Sequence, residues 1–222
     1  MSRSSRAAEP KFRRQSPAAR REALIAATLA CLSRHGHEGV SVRRISAAAG
    51  VSMGLITHYF AGIDTLMAAA YESLAGRLLS RSRDRALAVD GGPLESLRAF
   101  FAASFEPQAL DPAIFRTWLV FWSLVPHSSE LRAVRDRAYA DTRTTLETLL
   151  RHLRREAGVP AFRVNAAAIG LSALMDGLWV ELSLNPASFA PQQAVALCED
   201  WVHALATGSF PALSARPRRP PC

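Results

Sequence analysis

The sequence predicts an all-α protein of about nine helices, with a small N-terminal domain followed by a larger helical one. Three observations support this prediction. Ala, Leu and Arg, which favour helices, are abundant, and no alternating strand pattern competes with them. Apolar residues recur at helical spacing over long segments. Prolines and glycines fall between those segments, where helix breakers belong.

The first predicted helix follows a basic arm. Residues 1–15 are polar, rich in Ser and Arg, and predicted to be disordered. Ser16 is a favourable N-cap and Pro17 suits the first helical position, so the helix is expected to begin there. It is expected to stop at Gly36.

Two short helices come next. Ser41 is the predicted N-cap of the second helix, and Gly50 ends it because glycine readily adopts the left-handed conformation. Ser52 is the predicted cap of a third helix, which runs through Tyr59. Small residues before Gly50 and apolar residues after it are typical of a helix-turn-helix. We therefore expect residues 16–62 to form a helix-turn-helix domain.

The rest of the chain is predicted to form a second helical domain, residues 63–209, followed by a disordered tail at 210–222. Its helices are expected at 63–88, 93–105, 111–124, 128–157, 163–184 and 191–207. No uncharged apolar run approaches the roughly 18 residues of a membrane helix, so no membrane span is expected. Three widely spaced cysteines indicate neither a disulfide framework nor a metal site, and a reduced cytoplasmic location fits. No metal and no cofactor is expected.

Charge is concentrated at the N-terminus. Positions 1–62 carry ten Lys/Arg and three Asp/Glu, whereas positions 63–215 carry fourteen and sixteen. A basic domain beside a nearly neutral one indicates a polyanionic partner, with a merely solubilising arm as the alternative.

The segment Gly50–Gly54 also matches G-x-S-x-G, the pattern of the hydrolase nucleophile elbow, with Ser52 as the candidate nucleophile. That elbow needs a strand before it, and the preceding "VRRISAAA" is helical in character. The helix-turn-helix explains more of the residues.

The stretch "VSVRRISAAAGVSMGLITHYF" resembles the DNA-binding signature of the TetR family of bacterial repressors. The resemblance implies a homodimer that places its third helix in the major groove of double-stranded operator DNA. By position, the residues expected to face bases or phosphates are Ser41, Ser52, Met53, Gly54, Thr57, His58 and Tyr59. Arg43 and Arg44 are added as candidate phosphate contacts on their charge alone. One departure is Ile63, which stands where the family commonly has a phosphate-binding lysine.

Two later segments, "FRTWLVFWSLVPHSSELRAVRDR" and "AAIGLSALMDGLWVELSL", resemble those of the choline-responsive repressors of glycine betaine synthesis within this family. The resemblance implies a small-molecule effector such as choline, a quaternary ammonium that aromatic faces and a carboxylate would recognise. The candidate ligand-binding residues are Phe115, Trp118, Phe121, Trp122, Asp176 and Trp179.

Several alternatives stay open. The aromatic residues can be plain core, and Asp176 can instead pair with an arginine across a dimer interface. The repressor can serve an efflux or catabolic operon and sense another hydrophobic or cationic ligand. Gly170 and Gly177 mark a helix face that fits a dimer bundle or packing within one chain. A helical enzyme using Asp176 with His127 or His152 has no motif in its favour, so no enzyme is expected.

Overall fold

The computed structural model describes residues 16–210 and residue 213. The predictions of disorder for residues 1–15 and for most of 210–222 concern positions outside this range. The described residues form these α-helices: α1 (Pro17–His35), α2 (Val42–Ala49), α3 (Gly54–Phe60), α4 (Ile63–Leu87), α5 (Pro93–Ser104), α6 (Pro112–Leu124), α7 (Ser129–Arg155), α8 (Val164–Leu184) and α9 (Pro191–Ala206). Short 3-10 turns follow α1 and α6. The all-α prediction is confirmed, and the helix ends agree with it to within two residues.

The caps of α1 and α2 follow the sequence. The Ser16 hydroxyl accepts a hydrogen bond from the Ala19 amide at 3.2 Å. The Ser41 hydroxyl accepts one from the Arg44 amide, also at 3.2 Å. Gly50 ends α2 in the left-handed conformation, with φ at 65°. Each cap satisfies backbone groups that the helix itself leaves without a partner.

The predicted cap of α3 by Ser52 is wrong. This helix begins at Gly54, and Met53 occupies the cap position without a side-chain hydrogen bond. Met53 already has helical backbone angles, so Ser52 lies one residue too early for its hydroxyl to serve the first turn. Only its carbonyl contributes, accepting from the Leu55 amide at 3.1 Å.

Two hydrophobic cores share helix α4. The first core contains α1, α2, α3 and the first half of α4, together with Phe121, Leu131 and Val134. The second contains α5, α7, α8, α9 and Ala86 near the end of α4. The first core thus includes residues from both predicted domains. The boundary at 62/63 stays a prediction, and the packing of α4 crosses it.

Helix α8 is the most apolar helix of the described chain. It is long and apolar enough to cross a membrane by length and composition, with a mean hydropathy of 1.4 and 28% of that window buried. It carries Asp176 and Glu181, and it packs against α7 and α9. A helix in the interior of a helical protein has the same composition, so this feature is weak evidence for a membrane.

The two glycines of α8 have different surroundings. A Cβ on Gly170 would lie 3.0 Å from the Trp201 ring of α9, so this glycine permits close packing within the chain. Gly177 is exposed, with nothing within 4 Å of an added Cβ. Gly170 thus follows the alternative of packing within the chain, whereas the dimer contact stays a prediction for Gly177.

Replacing Gly50 by alanine is expected to lower the free energy of unfolding by about 1 kcal/mol, because the left-handed conformation strains any residue with a Cβ. Gly76→Ala provides the matched control. Gly76 lies inside α4, where an added Cβ meets nothing within 4 Å. It should raise the free energy of unfolding by roughly 0.5–1 kcal/mol. Urea denaturation measures both values, and a change of the same sign in the two variants would contradict this account.

Candidate functional site

The outer faces of α2 and α3 form an exposed, mostly polar surface that also includes Val42 and Met53. Among the residues expected to contact DNA, eight are exposed: Ser41, Arg43, Arg44, Ser52, Met53, Gly54, Thr57 and His58. Tyr59 is half-buried, and its ring meets the His58 ring edge-on at 4.9 Å between centroids. The opposite faces supply Ile45, Ile56 and Phe60 to the first core. The two helices therefore point apolar residues inward and offer these candidates to a ligand outside.

Helix α1 supports this surface. The Arg21 guanidinium lies over the Phe60 ring, 4.8 Å from its centroid. This contact joins the first turns of α1 to the last turn of α3 and adds a positive charge beside the polar surface. Helix α2, and not a strand, precedes Ser52. The strand-turn-helix context that a nucleophile elbow requires is thus not present at Ser52.

A cavity of about 150 Å³ lies beside the middle of α4, between the two cores. Trp118, Asp176 and Trp179 line it, so the structure brings three of the six candidate ligand residues together. The Trp118 and Trp179 rings stand edge to face, with centroids 6.3 Å apart. The Trp179 indole N–H donates to the Ala109 carbonyl at 3.0 Å, which fixes the orientation of that ring.

The other three aromatic candidates lie behind this wall. Phe115 packs edge-on against Trp179 at 5.3 Å, and Trp122 packs against Trp118 at 6.3 Å. Phe121 is fully buried and stacks on Tyr71 at 4.7 Å. Neither Phe115, Phe121 nor Trp122 lines the cavity. Their rings hold the cavity wall in place, as core residues do.

Asp176 brings a carboxylate into this apolar space. Burial raises the pKa of Asp176 to about 6, against the hydrogen bond from the Tyr139 hydroxyl and the positive charge of Arg135, which both lower it. The Arg135 guanidinium lies over the Tyr139 ring, 4.4 Å from its centroid. Asp176 therefore faces the cavity with a partner from its own chain, and its role does not require an arginine from a second subunit.

The sequence reading missed the contribution of α4, α5 and α7. Their polar residues in the cavity wall are Arg81, Ser82, Ser104 and Thr142. Tyr139 was missed as well. No motif marks these residues, and isolated serines in helices carry no signal of their own. His127 and His152 are exposed and do not line the cavity, so neither assists Asp176.

Helix α6 connects the cavity to the N-terminal helices. Its Arg116 side chain donates from Nε to the Ser33 carbonyl of α1 at 2.9 Å. The Trp118 ring meets the Tyr71 ring of α4 edge-on at 5.2 Å. Tyr71 is fully buried in the first core. A displacement of Trp118 would thus act directly on α4 and, through α6, on α1.

Comparison with known proteins agrees with this architecture. Residues 24–70 match the family described as bacterial regulatory proteins, tetR family, and residues 93–207 match the C-terminal region of the BetI-type transcriptional repressor. The HTH-type transcriptional regulator BetI of Serratia proteamaculans is 33% identical over 197 residues, covering 86% of this chain and 95% of that protein. BetI 1 of Chromohalobacter salexigens is 34% identical over 184 residues, covering 82% and 88%.

Solved structures show the same fold. A transcriptional regulator from Pseudomonas aeruginosa PAO1 superimposes with a TM-score of 0.84 at 45% identity, covering 91% of this chain and 98% of that one. A regulator from Saccharomonospora viridis in complex with choline gives a TM-score of 0.71 at 17% identity, covering 84% and 96%. The chain therefore belongs to the TetR family of DNA-binding transcriptional regulators. Its C-terminal domain makes it a repressor of the BetI type.

Replacing Asp176 by asparagine is expected to stabilise the ligand-free protein at pH 7.5, by about 1–3 kcal/mol. The folded state raises the pKa of this carboxyl, so it binds more protons than the unfolded state between about pH 4 and pH 6. Wild-type stability should fall as the pH rises through that window and stay lower above it. The asparagine variant does not lose stability in this pH range, and the free energies of unfolding of the two proteins should become equal near pH 4.

Thermal denaturation across pH 4–8 measures this difference. Asp141→Asn on α7 is the matched control, because Asp141 is exposed and its replacement should leave the pH dependence as in the wild type. An Asp176→Asn variant that is less stable than the wild type at pH 7.5 would contradict the account of a strained buried carboxylate.

Proposed function

We propose that this chain acts as a homodimer that represses transcription until a quaternary ammonium effector, choline, releases it from operator DNA. It would control genes for glycine betaine synthesis or choline uptake, in the cytoplasm. The observation that carries the proposal is Asp176. An ionised carboxylate in an apolar cavity destabilises the ligand-free fold and offers a counter-charge to a cation, and the Trp118 and Trp179 rings beside it suit a cation.

Choline fits the chemistry of this wall. A quaternary ammonium carries its charge on methyl groups that cannot donate conventional hydrogen bonds, so it is bound by aromatic faces and by a nearby negative charge. Each cation–π contact contributes roughly 0.5–2 kcal/mol. Two rings and one carboxylate are thus consistent with binding between about micromolar and millimolar. The regulator from Saccharomonospora viridis, which shares the fold, was solved with choline.

A second effector class is supported by the rest of the wall, which is mostly apolar. Leu78, Leu79 and Phe100 line the same cavity. A bulkier lipophilic cation would find both a counter-charge at Asp176 and apolar surface there. A repressor of an efflux or catabolic operon would use such a ligand.

The dimer is inferred from the surface of α8 and α9. Three large apolar residues of α8 and α9 are exposed: Ile169 at 45%, Leu184 at 63% and Leu197 at 48%. A second copy would cover these residues in a four-helix bundle. Pairing of two copies also places two α3 helices on one operator, which increases the discrimination between DNA sequences.

Release would follow from a change in population. The ligand favours one of two conformations by its difference in affinity for them, and it can shift the equilibrium by no more than that difference. Trp118 lines the cavity and contacts Tyr71 of α4, while Arg116 on the same helix holds α1. A ligand that repositions Trp118 would therefore change the spacing of the two α3 helices in the dimer.

Replacing Tyr59 by phenylalanine is expected to weaken DNA binding about three- to tenfold for operator and unrelated DNA alike, because a phosphate contact carries no sequence information. Tyr59→Ala should weaken it further by removing the packed ring. Fluorescence anisotropy at fixed salt measures both affinities. If Tyr59→Phe binds like the wild type while Tyr59→Ala does not, Tyr59 is a packing residue.

Titrating choline into the complex with DNA from upstream of its own gene is expected to release the protein, which should bind as two chains per site. The neutral isostere 3,3-dimethylbutan-1-ol should have no effect. Trp118→Ala and Asp176→Asn should each raise the choline concentration for half release at least about tenfold, since each loses roughly 1.4 kcal/mol or more. Asp176→Asn should leave DNA affinity unchanged, because the partners of the carboxylate in the described chain, Tyr139 and Arg135, lie on α7 and not on α1–α3. Tight DNA binding that ignores choline would exclude it as the effector and retain the repressor.

A further inference from the structure

The cavity has a second polar region, formed by Ser82 of α4 and Ser104 of α5. Both serines line the cavity, and their hydroxyl oxygens are 3.0 Å apart. Ser82 is 5% exposed. The cation candidates Asp176, Trp118 and Trp179 come from α6 and α8, so the serine pair adds a distinct group to the same space.

The hydrogen bonds of this pair determine what it offers to a ligand. The Ser104 hydroxyl donates to the Phe100 carbonyl at 2.8 Å. Ser82 has two acceptors within reach, the Ser104 oxygen at 3.0 Å and the Leu78 carbonyl at 3.4 Å, and the shorter bond is the better one. Both serine protons are therefore used inside the protein. A hydroxyl oxygen has two lone pairs, so Ser82 still presents an acceptor to the cavity.

The other polar residues of the cavity wall are Thr142, Arg81 and Ser172, besides Asp176. The Thr142 hydroxyl donates to the Ala138 carbonyl at 3.0 Å, so its proton is also used. Arg81 pairs with Glu106 at 3.3 Å, and Arg85 pairs with the same carboxylate at 3.5 Å, so Glu106 is shared between two guanidinium groups. Ser172 lies one turn before Asp176 on α8 and belongs to the region of negative charge. A carboxylate ligand would face acceptor oxygens and repulsion from Asp176.

We propose that Ser82 and Ser104 form an acceptor site for a ligand hydroxyl, so that the cavity selects a cationic amino alcohol and rejects its oxidised, carboxylate-bearing form. This inference deepens the proposed function and rests on it. The two regions have separate roles. Asp176 and the tryptophan rings bind the ammonium group, and the serine pair distinguishes an alcohol from a carboxylate at the other end of the ligand. An alcohol can donate a hydrogen bond to Ser82, whereas a carboxylate cannot.

The first test uses the wild-type protein and four ligands of nearly equal size: choline, its O-methyl ether, ethyltrimethylammonium and glycine betaine. Quenching of tryptophan fluorescence gives their affinities, since Trp118 and Trp179 line the cavity. Choline should bind about two- to tenfold more tightly than the ether or the ethyl compound, neither of which donates a hydrogen bond. Glycine betaine should bind at least about tenfold more weakly than choline.

The outcomes separate this inference from the proposed function. If all the quaternary ammonium ions bind with equal affinity, the acceptor site is wrong and the cation site stands. If glycine betaine binds as tightly as choline, Arg81 and not the serine pair meets the second end of the ligand, and the inference is overturned. If none of the four binds, both the inference and choline as the effector are wrong.

Substitutions assign the effect to individual atoms. Ser82→Ala removes the acceptor, so choline should lose its advantage over the ether. Ser104→Ala removes one acceptor of the Ser82 proton but leaves the Leu78 carbonyl at 3.4 Å, so Ser82 remains an acceptor and the preference for choline over the ether should be kept. Loss of the hydroxyl preference in Ser172→Ala but in neither of these variants would overturn the assignment. Unchanged affinity for operator DNA verifies that each variant is folded.

Discussion

The arrangement of this protein depends on one helix that belongs to two cores. Helix α4 has 25 residues, so it extends about 37 Å, and its first half packs with α1–α3 while its end packs with α5. A rigid element shared by two cores cannot move at one end without consequence at the other. The cavity lies beside the middle of this helix, where residues from Ala75 to Ser82 line it. This is the position from which a small ligand can affect both cores.

The cavity combines a well-packed apolar wall with one buried carboxylate that lowers the stability of the ligand-free protein. Most of its wall is apolar and well packed, and the rings of Phe115 and Trp122 hold Trp118 and Trp179 in place. Asp176 opposes this, because burial raises its pKa to about 6 and its ionised form is held by only a hydrogen bond from Tyr139 and the charge of Arg135. A cation that entered would complete the set of charges. Binding of a cation would thus also remove the unfavourable burial of the Asp176 charge.

Local signals in the sequence predict the ends of α1 and α2 well and the cavity only in part. Ser16, Ser41 and Gly50 determine helix ends through contacts with neighbours in the chain, so their roles can be read from the sequence. Ser52 was misassigned because α3 begins one residue later than the sequence indicates, with Met53 at the cap position. Asp176 and Trp179 share a helix face and were found by their spacing. Ser82, Ser104 and Tyr139 meet them only because α4, α5 and α7 converge in space, and spacing along one helix cannot show this.

The contact between α6 and α1 has a consequence for how such proteins diversify. Arg116 donates to the main-chain carbonyl of Ser33, and a carbonyl is present whichever amino acid occupies that position. The joint is therefore indifferent to the side chains of α1, and substitutions in the DNA-reading helices need not disturb it. Because this contact does not depend on a side chain of α1, one effector-binding domain can be combined with DNA-binding helices of different sequence while the contact between them is kept.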